Sequence, residues 1–312
     1  MRNAFADEMT RICAANQRPV LLSGDIGNKL FDKLKAAAPD QFLNCGVAEA
    51  NMIGVAAGLA MSGFRPFAYT IVPFITTRVL EQIRVDLCYH NVPATVVGVG
   101  GGLSYAALGP THHALEDIAF LRVLPNMSVL CPGDALEVRA CLKAAMLHDG
   151  PLYIRLGKKG EPVVHQSEPV VGIGGSLTVR RGSDCTILAV GNLLPEAMRA
   201  AELLAEQKVD TTVVSLVSVK PLDGEMLERN FASRNLVVSL EEHSVAGGAG
   251  SAILEWISDH NPSAMAKFMR IATPDAFYTQ SGKQSYARQQ LGLDSISVAR
   301  KIADRLGRKL AA

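Results

Sequence analysis

Glu49 is the residue of this 312-residue sequence whose placement is physically most costly. It stands in Asn44 to Gly63, NCGVAEANMIGVAAGLAMSG, among Gly46, Ala48, Ala50, Gly54, Ala56, Ala57 and Gly58. Burial in such surroundings disfavours the charged carboxylate and raises its pKa unless a partner compensates. Two readings follow. Glu49 is either a first-turn acid favoured by the helix dipole and wet on one edge, or an acid kept for proton chemistry. The second cluster is Gly109-Pro110-Thr111-His112-His113. Adjacent histidines point in different directions, so at most one faces a given site. The other reading is a solvated loop histidine.

Other chemistries lack their residues. There is no HExxH, no His/Asp/Glu cluster at ligand spacing and no paired cysteines, which argues against zinc. Ser23 and Ser104 lack a GxSxG context, and no GxxxxGK[ST] occurs. The turn AGGAGS after Glu242-His243 is only loosely like a phosphate cradle and reads first as a tight strand-to-helix packing turn.

The positioning elements follow from periodicity. Strands are expected at Val20 to Ser23, Phe42 to Cys45, Phe67 to Val72, Ala94 to Val99, Ser128 to Cys131 and Leu152 to Leu156. Between them come the Glu49 helix, a helix from Thr76 to Tyr89 with Val79, Ile83 and Leu87 on one face, and helices at Ala114 to Leu121 and Asp134 to Leu147. A lapse into GKKGEPVVHQSEPVVGIGGS separates this half from a second alternation. That half has strands at Cys185 to Val190, Thr212 to Ser215, Asn235 to Leu240 and Phe268 to Ala272. Its helices are Pro195 to Gln207, Asp223 to Asn230, Ala252 to Ser258 and Ser295 to Leu306. The expectation is α/β, with two doubly wound domains at 1–170 and 171–312. Asp25, Glu49, Phe74 and His112 then all follow strand ends, where ligand loops gather in such sheets.

Composition narrows the class. Hydrophobic residues at 48% and charged residues at 20% describe a well-filled globular chain, and the net charge of +1 offers no basic field to nucleic acid or acidic membranes. Six cysteines without a CxxC fit a reducing compartment, and the N-terminus lacks an apolar export core, so a cytoplasmic location is expected.

Taken in order, GVAEANMIGVAAGLAMSG, FAYTIVPF with its EQIR helix, GPTHHALEDIAFLRVLPNMSVLCPGD and DGPLYIRLGK resemble the pyrimidine-binding domain of the thiamine diphosphate enzymes of the transketolase family. VKPLDGEMLERNFASRNLVVSLEEHSVAGGAGS is similar to the smaller C-terminal α/β domain of that group. The resemblance implies roles. Glu49 would hold the proton at N1′ of the aminopyrimidine, so that the cofactor can shed its own C2 proton. Phe74 would stack on the pyrimidine, and Asp25-Ile26 would match an Asp-Leu pair, with Ile26 a wedge beneath the bent cofactor. His112 would touch the substrate oxygens next to C2, and Arg155 and Lys158 lie near a phosphate-binding arginine.

The family holds diphosphate and Mg²⁺ on a separate GDG...N domain, and this chain has no GDG. The resemblance therefore implies a C-terminal subunit of a split transketolase, with no metal ligands of its own. A partner polypeptide would carry the diphosphate domain, in an α2β2 heterotetramer. The implied reaction moves a two-carbon ketol unit between a ketose (phosphate) and an aldose (phosphate). Alternatives are a 2-oxoacid decarboxylating component, a deoxyxylulose-phosphate-synthase-like enzyme, or a non-catalytic structural or regulatory subunit. GPTHH favours transketolase. Leu108 replaces an Asp that reads a substrate hydroxyl in the family, and Gly100-Gly101 stands where transketolase has a phosphate-contacting histidine. These departures point to a specialised ketose.

Overall fold

The computed structural model describes residues 1–27 and 29–308. Its first sheet is built on strands β1 (Pro19–Ser23), β2 (Phe42–Asn44), β3 (Arg65–Ile71), β4 (Thr95–Val99), β5 (Ser128–Leu130) and β6 (Leu152–Leu156), all parallel. The second holds β7 (Leu177–Arg180), β8 (Cys185–Ala189), β9 (Thr211–Ser215), β11 (Leu236–Ser244) and β12 (Phe268–Thr273). It runs β12-β11-β8-β9-β7, parallel except for the edge strand β7. Strand β10 (Ser218–Lys220) does not join its neighbours in sequence. It leaves the second half of the chain and closes the first sheet, antiparallel to β5, giving the order β10-β5-β6-β4-β3-β1-β2.

Strands buried on both faces read as continuous apolar runs, and their alternate residues feed two cores. Leu21 packs under the helices Arg2–Ala15 and Ala135–Leu147, while Val20 and Leu22 pack under the helix Glu49–Met61. The second of these cores continues into the other domain through Leu188, Val214, Phe231 and Ile253, so the two domains share apolar packing. The third face, under the helices Leu194–Glu206 and Ser295–Arg305, lies in the second domain, with Val164 of the linker packed against it.

The expected helix from Thr76 to Tyr89 forms with Val79, Ile83 and Leu87 fully buried, but it is wound in three ways, ending as a π-helix over Ile83–Tyr89. Apolar residues at strict four-residue steps drift around a 3.6-residue turn, and a wider turn keeps them on one line. Among the described residues no helix is long and apolar enough to cross a membrane, and the six cysteines are free thiols.

The linker is clasped between the domains. Asp134 caps the helix Ala135–Leu147 with one oxygen and accepts from the Val164 and His165 amides with the other. His165 Nε2 lies 2.7 Å from buried Glu137, whose other oxygen accepts from Ser215 Oγ at 2.9 Å. The hydrogen bond to Glu137 holds His165 above its ordinary pKa. A raised folded pKa contributes stability that is complete below the unfolded value, about 6.5, and fades as pH climbs through the folded one. Urea unfolding of wild type and His165→Gln should therefore differ most near pH 5.5, by no more than about 1 kcal/mol for such a partly exposed pair. The curves should converge at alkaline pH, above the raised folded value, where the imidazolium is lost. A gap constant across that range would leave the ion pair no part in it.

Candidate active site

The carboxyl ends of β2, β3, β4 and β6 carry one continuous run of side chains. Glu49 opens the helix Glu49–Met61 and is 4% exposed. A carboxylate in the first turn meets the positive end of the helix, and Arg78 completes its neutralisation with Nη1 3.0 Å from Glu49 Oε1. Oε2 carries no protein hydrogen bond among the described residues, yet it is not one of the sealed, unpartnered atoms of the interior. The Arg78 guanidinium lies 4.3 Å over the Phe74 ring, a cation–π contact that fixes both. Phe74 sits in the turn Val72–Ile75 that ends β3, where Pro73 forbids the strand to continue.

The Phe74 ring meets the His112 ring edge-on at 5.2 Å, His112 meets Tyr105 at 6.1 Å, and Lys158 Nζ stands 4.7 Å over Tyr105. Arg2 lies beside the Tyr105 phenol, which burial pushes up in pKa and Arg2 opposes. Next to this run opens a cleft of about 520 Å³ bordered by Phe74, Arg78, Thr111, Glu116, Phe277 and Tyr278.

The two histidines separate as their adjacency requires. His113 is buried, with Nε2 3.2 Å from the Ala106 carbonyl and its ring 5.8 Å from Tyr278. His112 is half-buried, with Nδ1 3.0 Å from Thr111 Oγ1. Burial, with His113 adding to it, holds His112 below its ordinary pKa. At neutral pH it is therefore an uncharged imidazole with one N–H to give and one lone pair to receive.

The glycines of Gly100-Gly101-Gly102 are sites of close approach. A Cβ on Gly100 would strike the Tyr105 ring, one on Gly101 would come 2.9 Å from the Arg155 side chain, and one on Gly102 would strike the Glu242 carboxylate. Tyr105 thus fills part of the space beside the loop. The turn at AGGAGS needs no outside anion, because Glu241 accepts from the Ala249 and Gly250 amides at 2.7 and 2.8 Å.

Not every expected residue joins the run. Asp25 is exposed, at φ 56°, and accepts from Asn44 Nδ2 at 2.9 Å. Ile26 leans on the core beneath the N-terminal helix. Both lie at the end of β1, outside the contacts that link Glu49 to Lys158. Arg155, expected near a phosphate, is 3% exposed. Nε and Nη2 bond both oxygens of Asp117 at 2.8 and 3.1 Å, and Nη2 also donates to the Ala114 and Glu242 carbonyls. Tyr153 donates to the same Asp117 at 2.6 Å. Burial alone would lower the Arg155 pKa, and Asp117 more than reverses it. Nε and Nη2 thus tie elements together in the interior, while Nη1 carries no protein hydrogen bond among the described residues and is not one of the sealed, unpartnered atoms. Of the two cations named from sequence, Lys158 alone reaches the run.

Arg78, Tyr105 and Arg2 are residues that sequence reading misses. Arg78 has a signal, since four residues from Phe74 on a helical stretch means a shared side. Among the described residues no three His, Cys, Asp or Glu side chains gather as a metal site.

Two α/β domains, with a buried acid, an aromatic ring and a neutral histidine at the strand ends of the first, define the class. Residues 1–162 match the family model of the transketolase pyrimidine binding domain, and residues 174–298 that of the transketolase C-terminal domain. The chain is similar to a putative transketolase C-terminal section of Methanocaldococcus jannaschii, at 32% identity over 98% of this chain and 96% of that one. It is similar to an apulose-4-phosphate transketolase subunit of Actinobacillus succinogenes, at 34% identity over 83% of each. It also superimposes with a TM-score of 0.87 and 34% identity on a split gene transketolase described as an inactive beta4 tetramer, over 99% of this chain and 98% of that one. The chain belongs to the transketolase family.

Proposed function

We propose that this chain is the C-terminal subunit of a split, thiamine diphosphate-dependent transketolase that transfers a two-carbon ketol unit from a ketose to an aldose once a partner subunit is bound. The observation that carries the reading is Glu49, buried at the start of its helix, with one oxygen on Arg78 and the other free of protein bonds among the described residues. This acid and the Phe74 ring fit an aminopyrimidine, one by holding a proton on a ring nitrogen and the other by apolar contact. When bound, thiamine diphosphate supplies the carbon nucleophile. Glu49 keeps the shared proton in place. Neutral His112 stands one ring away, able to donate to a substrate oxygen as charge develops there. Lys158 and Arg2, at the Tyr105 end, suit an anionic tail on the sugar.

A further observation supports a partner. Past Glu49 and the exposed Asn51 the helix Glu49–Met61 is apolar on all sides, yet Gly54, Gly58 and Met61 face solvent beside exposed Val47, Leu43 and Phe64. Such a face is a docking surface, and it adjoins Glu49. In this reading the partner carries the diphosphate and Mg²⁺ half in an α2β2 heterotetramer in the cytoplasm. The specialised substrate follows from Leu108 and from the glycines that admit Tyr105.

Calorimetry with thiamine diphosphate and Mg²⁺ tests this. Tight binding is expected in the mixture with the candidate N-terminal subunit and not for this chain alone. Binding and turnover by the chain alone would overturn the split assembly.

A further inference from the structure

The loop that carries His112 is closed at its neck and held there by the other domain. Gly102 and Ala114 exchange both backbone hydrogen bonds, at 3.1 and 2.9 Å, so residues 103–113 form a loop pinched at its base. The Glu242 carboxylate is wholly buried against that pinch. Its Oε2 accepts from the Leu103 amide at 3.1 Å, the first residue of the loop. Gln284 donates to both oxygens, at 3.2 and 2.9 Å, and Arg288 Nε donates to Oε1 at 2.7 Å.

The contacts close into a ring. Arg288 also donates to the Asn192 carbonyl at 3.2 Å, Asn192 donates to Ser104 Oγ at 3.1 Å, and Ser104 returns to the Gly101 carbonyl at 2.7 Å. Farther out, Leu103, Ala106 and Leu115 pack on Tyr278 and Ala287 of the second domain, and Tyr278 backs His113. An apolar side chain would fill the Glu242 position at less cost in desolvation, and would leave the Leu103 amide and Arg288 unpaired.

We propose that Glu242 is a positioning residue: by anchoring the Leu103 amide at the loop's neck, the C-terminal domain sets where His112 stands against Phe74. Its bearing on catalysis rests on the function proposed above. The geometric claim stands apart from it. Glu49 and Arg78 lie on elements this ring does not touch, so the two ends of the site are governed separately.

The test is NMR of the full chain labelled at histidine, with His112→Gln to assign the signal. In Glu242→Met, which removes the acceptor of the Leu103 amide, the His112 ring signals are expected to move and the His112–Phe74 cross-peak to vanish, with the melting curve still cooperative. If Glu242→Met does not fold, Gln284→Leu decides, because it removes two hydrogen bonds from the carboxylate and leaves Arg288 in place. Its His112 signals should move in the same direction. A folded variant, whichever of the two decides, with His112 unmoved overturns the proposal.

In the assembled enzyme the same variant should lower kcat/KM by about 10²-fold, the scale of a misplacement of about 1 Å, through the sugar's KM or kcat. Thiamine diphosphate affinity, which reads the Glu49 end, should stay within about twofold. Displaced His112 signals in a chain whose wild-type assembly transfers no ketol unit would sink the function and leave the positioning intact.

Discussion

Glu49→Gln in the assembled enzyme is expected to cut ketol transfer by about 10³-fold, within the range for loss of a positioned acid or base. The amide keeps the size of the side chain and keeps an oxygen for Arg78 Nη1. It cannot hold a proton between itself and a ring nitrogen. Structural damage should be small, because what the helix loses is one first-turn charge, about 0.3–1 kcal/mol. The measurement is steady-state transfer beside a melting curve. A large fall in rate with a small shift in melting places the defect in chemistry. A fall of less than about tenfold would return Glu49 to the plain reading of a first-turn acid paired to an arginine.

Asp117→Ala should cost the fold about 3–5 kcal/mol, because it strands the Arg155 charge in the interior. Both side chains are nearly sealed, and Tyr153 would lose its acceptor in the same step. Arg155→Met added to Asp117→Ala should recover part of that loss, since an apolar chain in the arginine's place leaves no stranded charge. Lys158→Ala should stay within about 0.5 kcal/mol of wild type and act on substrate binding instead. Urea unfolding of the chain separates these cases. An Arg155→Met chain of unchanged stability and weakened sugar-phosphate binding would make Arg155 a substrate cation and not an interior tie.

The contrast between these residues says what sequence can disclose. Glu49, Phe74 and His112 are legible because each follows a strand that announces itself, and the structure puts them on one run of contacts. β4 and β6 form where the apolar runs predict them, Asp134 caps its helix and Pro195 sits in a first turn. The ion pair of Arg155 is illegible because its partner Asp117 stands 38 positions away on another element, and nothing local announces it. β7 and β10 escape because four- and three-residue edge strands with irregular register have no periodicity to show. The helix Gln284–Leu291 hides for the opposite reason, since it is polar and buries only Ala287 fully.

Strand β10 has a bearing on how the molecule can be taken apart. Sequence patterns change near residue 170, but the hydrogen-bonded sheet does not end there. A fragment cut at that seam would lack its last strand and bare the β5 edge as a row of unanswered amides and carbonyls, the kind of surface on which chains stick to one another. The other fragment would keep Ser218–Lys220 with nothing to pair against. What looks like two beads on a string is, mechanically, one object with a visible join.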